Sequence, residues 1–332
     1  MIEILNNVYL KEGLRIPKPL NRISKSGVRY YFDNNCVPKM GITSFLSKVL
    51  PTNEFLIQWR IDNADAEKIK TDRADYGTMF HAFAAEMLRL YTTTGKIFYD
   101  TDTLYGEASM YCKKIGKTFY WQDYYELRGD LLSLVAWIKQ YDPECILIET
   151  SLQSTDMQLA ATLDLVAKIN IETKGFYGEV YKSGVNKGEP KESKQIERVL
   201  AVIDFKTMIK SDTDEPKSNK QISLSNIWQL NYQRKFLLQN YPEFEHEKIF
   251  MFNAIPSDWC TNPAIQLSEI QTIPDKQLYS LYELSPYLGL DLSKAADKKI
   301  ADYSGKFESE ISDCMNIRTL KEIMQKEIHK KF

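Results

Sequence analysis

Apolar residues between positions 54 and 91 recur at helical spacing. Met79, Phe83, Met87 and Leu90 fall at i, i+4, i+8 and i+11 and form one stripe. The Tyr76-Gly77-Thr78 stretch predicts a break inside this region, with Asp75 or Thr78 as the N-cap of the helix that follows. A second helical pattern covers 123–141 and stops at Pro143. Beyond Cys145 the period changes from 3.6 to 2. Segments 145–153, 157–170, 175–182 and 198–208 are β-branched or alternating and are separated by short polar turns, which predicts an antiparallel meander. A strong helix follows at 226–242, with Ser223 or Ser225 as cap and Pro242 as stop, and then an apolar strand at 248–255. A helix between two strands is a crossover, so the last strand is expected to run parallel to a neighbour. Residues 273–332 read as helical and mixed in charge, with no candidate chemistry.

The most polar stretches, 182–198 and 211–221, read as a surface hairpin insertion and a mobile loop. The chain has 332 residues, 43 basic against 45 acidic side chains, and 43% hydrophobic residues, which is the composition of a globular protein rather than a disordered or fibrous one. No run reaches the roughly 18 apolar residues of a membrane helix, and the N-terminus lacks a signal pattern, so a cytoplasmic protein without a membrane partner is expected. Abundant Asn, Lys, Ile and Tyr suggest an AT-rich genome, bacterial or viral. The five cysteines are widely spaced, which argues against a disulfide framework, a zinc site and an iron–sulfur cluster. A net charge of −2 gives no global signature of nucleic-acid binding, so positive charge for such a partner must be local.

Chemistry enters in the strand at 198–208. Asp204 and Lys206 interrupt an otherwise apolar run, and period 2 puts them on one face. Charges there are costly unless paired, ligated or solvated in a cleft. The preceding strand offers Asp164, and two carboxylates facing one cleft suit Mg²⁺ or Mn²⁺. His81, among the small residues Ala82, Ala84 and Ala85, is a third candidate ligand. Such a site suits phosphodiester hydrolysis, with Asp164 and Asp204 holding the ion and Lys206 positioning water or neutralising developing charge.

The set Gly77-Thr78-x-x-His81, Thr162-Leu163-Asp164, Val202-Ile203-Asp204-Phe205-Lys206-Thr207, and Gln229 with Tyr232 resembles the PD-(D/E)XK nuclease superfamily in its RecB-like exonuclease branch. The motifs occur in the family's order, from residue 77 to residue 255. Upstream, residues 40–46 followed by Leu56-x-x-Trp59 resemble the single-strand exonucleases of mitochondrial genome maintenance. The resemblance implies an α/β protein (α+β mixed sheet) with a restriction-endonuclease-like core ordered helix, strands, helix, strand. It implies His81, Asp164, Asp204 and the Phe205 carbonyl as metal ligands and Asp164, Asp204 and Lys206 as catalytic. Gln229, Tyr232 and Thr207 would brace the site or touch DNA. Ala161 stands where the family usually has glycine, and the absence of a cysteine cluster excludes the iron–sulfur members.

The expected organisation is a helical N-terminal region at 1–76, a nuclease core at 77–255 carrying a helical insertion at 100–143 and the hairpin insertion at 182–198, and a helical C-terminal region at 256–332. The helices before residue 145 would form a wall over the cleft. The expected function is a metal-dependent DNA exonuclease using Mg²⁺ or Mn²⁺, acting on single strands or DNA ends in recombination, repair or replication. The alternatives are an endonuclease of the same fold and a non-catalytic DNA-binding subunit of a recombination or packaging complex. Glu149 reads equally as a further site carboxylate or a strand-edge charge, and Glu86 as a surface or supporting residue. Tyr30-Tyr31, Tyr120-Trp121 and Tyr124-Tyr125, near Lys113, Lys114 and Lys117, suit core packing or base stacking.

Overall fold

The computed structural model describes residues 9–285 except 18–19, 26–27, 33–37, 52–53, 115, 181, 184, 186, 188–189, 208–222 and 258–262. In chain order its elements are β1 (Tyr9–Leu10), β2 (Asn21–Lys25), β3 (Val28–Phe32), β4 (Pro38–Gly41), α1 (Ile42–Val49), α2 (Glu54–Asp62), α3 (Ala66–Thr94), α4 (Thr101–Lys114) and α5 (Trp121–Tyr141). There follow β5 (Glu144–Gln153), β6 (Leu159–Val180), β7 (Pro190–Phe205), α6 (Leu224–Asn240), β8 (Ile249–Ser257), β9 (Ala264–Glu269) and α7 (Asp275–Leu284). The protein is mixed α/β, with one open, mixed sheet ordered β2-β3-β4-β6-β7-β8-β9 and with β5 on β6 and β1 on β5. The β4–β6 and β7–β8 pairs are parallel, and the others are antiparallel.

The parallel β7–β8 pair needs a crossover, and α6 supplies it as the pattern predicts. Ser223 caps α6, its Oγ accepting the Asn226 N–H at 3.2 Å, and the helix ends just before Pro242. Helices cover both sheet faces, so Val199, Leu200, Ala201, Val202, Ile203 and Phe205 of β7 are buried whichever way they point. On one face Leu163, Val166, Leu200 and Val202 pack with Phe45 of α1 and with Leu230 and Phe236 of α6. On the other, Leu165, Ala201, Ile203 and Phe205 pack with Phe80 and Phe83 of α3 and Trp137 of α5. No helix among the described residues is long and apolar enough to cross a membrane.

Several expectations are corrected. α3 runs unbroken through Gly77, and Thr78 lies mid-helix with its hydroxyl donating to the Ala74 carbonyl at 2.9 Å. Tyr76, Met79, Phe80 and Phe83 are all buried, and their burial outweighs the ~1 kcal/mol that an internal glycine costs. A Cβ on Gly77 would lie 3.4 Å from Thr207 Oγ1, so this is where the helix passes the end of β7. The expected strands 157–170 and 175–182 are one strand, β6, paired with β7 from Leu165–Ile203 to Val180–Pro190. Residues 171–174 between them read as a turn, but Ile171 to Lys174 stand opposite Glu197 to Lys194 in the ladder.

Residues 1–76 and 256–332 are not purely helical, since β1–β4 and β9 lie within them. These strands have two to six residues, too few for a period-2 signal, and β1, β4 and β9 depend on pairing with β5, β6 and β8. A Cβ on Gly41 would come within 3.0–3.2 Å of Arg29 and Tyr31, so glycine lets β4 lie against β3. The expected helical insertion is present as α4 and α5, whose residues Leu104, Leu127 and Leu134 belong to the core. The loop 211–221 and the C-terminal region from 286 fall outside the described residues.

Candidate metal centre

Strand register brings the acidic residues together. Ile148 pairs with Leu165 and Thr150 with Leu163, which sets Glu149 of β5 beside Asp164 of β6. Leu165 pairs with Ile203, so the next residues along, Asp164 and Asp204, face each other across β6 and β7. β8 then places Asn253 beside Asp204. The backbone of Glu149 has φ 46°, in the left-handed region, which costs a non-glycine residue ~1–3 kcal/mol and is typical of residues held for a purpose.

His81 comes from α3. Its Nδ1 lies 3.4 Å from Glu149 Oε1 and 3.5 Å from Asp164 Oδ2. Phe80, the preceding residue, packs edge-on against Phe205 with ring centroids 6.3 Å apart, tying the helix to the end of β7. Asp164 Oδ2 also accepts the Phe205 N–H at 2.8 Å. The N–H and C=O of one extended residue project to the same strand edge, so the Phe205 carbonyl faces β6 as well. Asp204 is 1% exposed; its Oδ1 accepts from Gln229 Nε2 at 2.6 Å, and Lys206 Nζ lies 2.7 Å from its Oδ2.

The charges support one another. Burial opposes charge on His81, but Asp164 and Glu149 outweigh it and hold the imidazole well above its usual 6.5. Burial also pushes Asp164 up, yet His81, Lys206 and the Phe205 N–H bring it below 3.8. Asp204 is raised, because burial and the neighbouring Asp164 prevail over Lys206. Lys206 resists its burial and stays above 10.5 through Asp204 and Asp164.

The ligand atoms of His81, Glu149 and Asp164 lie within 4.8 Å of one another. Ligands on opposite sides of an ion bound at ~2.0–2.4 Å are ~4–5 Å apart, so the group could hold a metal ion. Asp204 stands beside this trio rather than in it. The structure thus brings His81, Asp164 and Glu149 together, with the Phe205 carbonyl edge and the Asp204–Lys206 pair adjoining. Glu86 instead binds Arg89, and Thr207 lies against Gly77.

A metal ligand must offer a free lone pair, whereas Asp164 and Glu149 favour the protonated form of the His81 imidazole. Metal binding at pH 7 is therefore expected to release about one proton, with affinity rising as pH increases until His81 deprotonates unaided. Calorimetry in buffers of different ionisation enthalpy measures this; no proton release at pH 7 would contradict it.

Tyr232 does not face the site. It is fully buried, and its hydroxyl donates to the Leu278 carbonyl at 2.7 Å, fastening α7 to α6. Removing the hydroxyl loses this tie but leaves the Leu278 carbonyl its helical partner within α7, so Tyr232→Phe is expected to lower stability in urea by ~0.5–1.5 kcal/mol while leaving metal affinity unchanged. A weakened metal site would restore Tyr232 to the centre. Tyr30 and Tyr31 are likewise buried, not presented for stacking.

Sequence reasoning did not single out Asn253 or Arg29. Asn253 is buried, its Oδ1 has no hydrogen-bond partner, and its signal is a lone polar residue in the apolar run at 248–255. Arg29 is close enough for its charge to oppose that of Lys206, but its strand β3 joins this sheet through β4, whose pairing with β6 more than 100 residues away leaves no local trace. Compared with known proteins, the chain matches no family model, and no curated protein gives a significant match.

Proposed function

We propose that the chain is a metal-dependent deoxyribonuclease of the PD-(D/E)XK type, and most specifically an exonuclease acting on single strands or DNA ends. The observation that carries this reading is the meeting of His81, Glu149 and Asp164 from three separate elements, beside a lysine just past the end of the next strand. The imidazole and two carboxylates suit Mn²⁺ or Mg²⁺, with the nitrogen ligand favouring Mn²⁺. Such an ion supplies Lewis-acid polarisation of a phosphodiester and a more acidic water.

The protein's own groups do the rest. The Phe205 N–H fixes the orientation of Asp164, and Gln229 fixes that of Asp204. Lys206, cationic at neutral pH and held by Asp204, places positive charge where negative charge builds on the phosphate. His81, once neutral, offers its lone pair instead of competing as a cation.

A scaffold with no catalytic role has no use for an intact acidic row beside a half-buried lysine, which favours the enzyme reading. The exonuclease form is tested by offering linear and covalently closed circular single-stranded DNA with Mn²⁺. Linear strands are expected to shorten while circles survive. Cut circles would make it an endonuclease.

A further inference from the structure

We propose that the surface formed by Tyr105, Trp121, Tyr124 and Tyr125 binds single-stranded DNA by stacking on its bases. The proposal rests on the nuclease reading and adds to it where the uncut strand is held. Trp121, the first residue of α5, lies at the centre: its ring centroid is 5.1 Å from Tyr105, 5.0 Å from Tyr124 and 5.2 Å from Tyr125. Core aromatics hide their faces, but Trp121 is 55% exposed, Tyr125 46% and Tyr105 41%. So much adjoining aromatic surface left in water marks an interaction site.

Charge selects the occupant. Lys113 and Lys114 end α4, the helix that carries Tyr105, about two turns beyond it, and neither forms an ion pair among the described residues. Of the nearby acids, Asp75 is paired with Lys117 and Glu126 with Arg73, while Asp123, capped by the Tyr120 N–H, and Asp72 keep their charges. The patch presents exposed rings on the helix pair that also carries the unpaired Lys113 and Lys114, and rings with cations at hand suit bases on a phosphate backbone. In a duplex the base faces are already stacked, so a single strand fits.

Position ties the patch to the metal centre. The Lys117–Asp75 and Arg73–Glu126 pairs fasten the start of α5 and the loop before it to α3. Asp75 lies six residues before His81, ~9 Å along the helix axis. A strand stacked at Trp121 thus lies a few nucleotides from the site.

The test uses the full chain in EDTA, which prevents cleavage, with a fluorescent 15-nucleotide oligothymidylate read by anisotropy. Base stacking contributes ~1–3 kcal/mol per base, so Trp121→Ala with Tyr125→Ala is expected to weaken binding by at least ~10-fold. Lys113→Ala with Lys114→Ala should flatten the slope of log affinity against log salt by ~0.7 for each phosphate left without its lysine. Unchanged affinity in the aromatic double variant, equal affinity for a duplex of the same length, or a dimer that this variant dissociates would each overturn the proposal. Hydrolysis of bis(p-nitrophenyl) phosphate by the unsubstituted chain with Mn²⁺ reports on the metal centre alone. Its presence alongside an insensitive aromatic variant would remove the platform and leave the nuclease reading standing. Its absence alongside a sensitive one would do the reverse.

Discussion

Asp164→Asn is expected to weaken Mn²⁺ binding by at least ~100-fold and to slow DNA cleavage by ~1000-fold or more. Asp164 lies 3.5 Å from His81, accepts the Phe205 N–H, and stands in the ladder between Glu149 and Asp204. Asparagine keeps the shape and can still accept from Phe205, so the fold should hold while the charge is lost. Its loss also removes the largest attraction that keeps His81 protonated, so the proton released on metal binding should shrink with the affinity. Calorimetric titration with Mn²⁺, alongside circular dichroism to confirm folding, measures both. Affinity within about threefold of the unsubstituted chain, on the scale of an ordinary surface change, would remove Asp164 from the metal centre.

Lys206→Ala should separate binding from chemistry. Lys206 is not one of the trio that could hold a metal, so Mn²⁺ affinity is expected to stay within about tenfold, while cleavage falls by ~100- to 1000-fold, the usual cost of removing one group that stabilises developing charge. Stability should fall too. Asp204 is 1% exposed and keeps only Gln229 once the cation is gone; with Lys206 itself about a third exposed, the cost is ~1–3 kcal/mol. The pH dependence has a definite sign. Asp204 already titrates above its usual value, and losing Lys206 raises it further. The variant therefore recovers stability relative to the unsubstituted chain as pH falls and the carboxyl protonates. Urea unfolding at pH 5 and pH 8 measures this; an equal deficit at both would contradict it.

What the sequence disclosed follows from which interactions are local. The crossover α6 and strand β8 were legible, because Ser223, the helical stripe and Pro242 act within a few residues. Asp204 and Lys206 stood out because charges in a buried strand are anomalous, and Asp164 because the paired strand repeats that anomaly. The placement of Glu149 could not be read. Its approach to His81 depends on the β5–β6 register and on a left-handed backbone that no nearby glycine announces. β1–β4 are too short to carry a period, and β4 is specified by pairing with Leu159 and Ala160 more than 100 residues away. Tyr232 shows the opposite error. Spacing set it three residues from Gln229, but its packing on Phe45 and its bond to Leu278 turn it inward.

The most direct test of the central claim is the fate of a 5′-labelled single-stranded oligonucleotide incubated with the full chain and Mn²⁺. A metal-dependent exonuclease is expected to consume it from an end, giving either a ladder of shortening labelled strands or early release of the labelled terminus, in a reaction that EDTA stops and that Asp164→Asn lacks. An intact strand in both Mn²⁺ and Mg²⁺, or cleavage undiminished in Asp164→Asn, would contradict it.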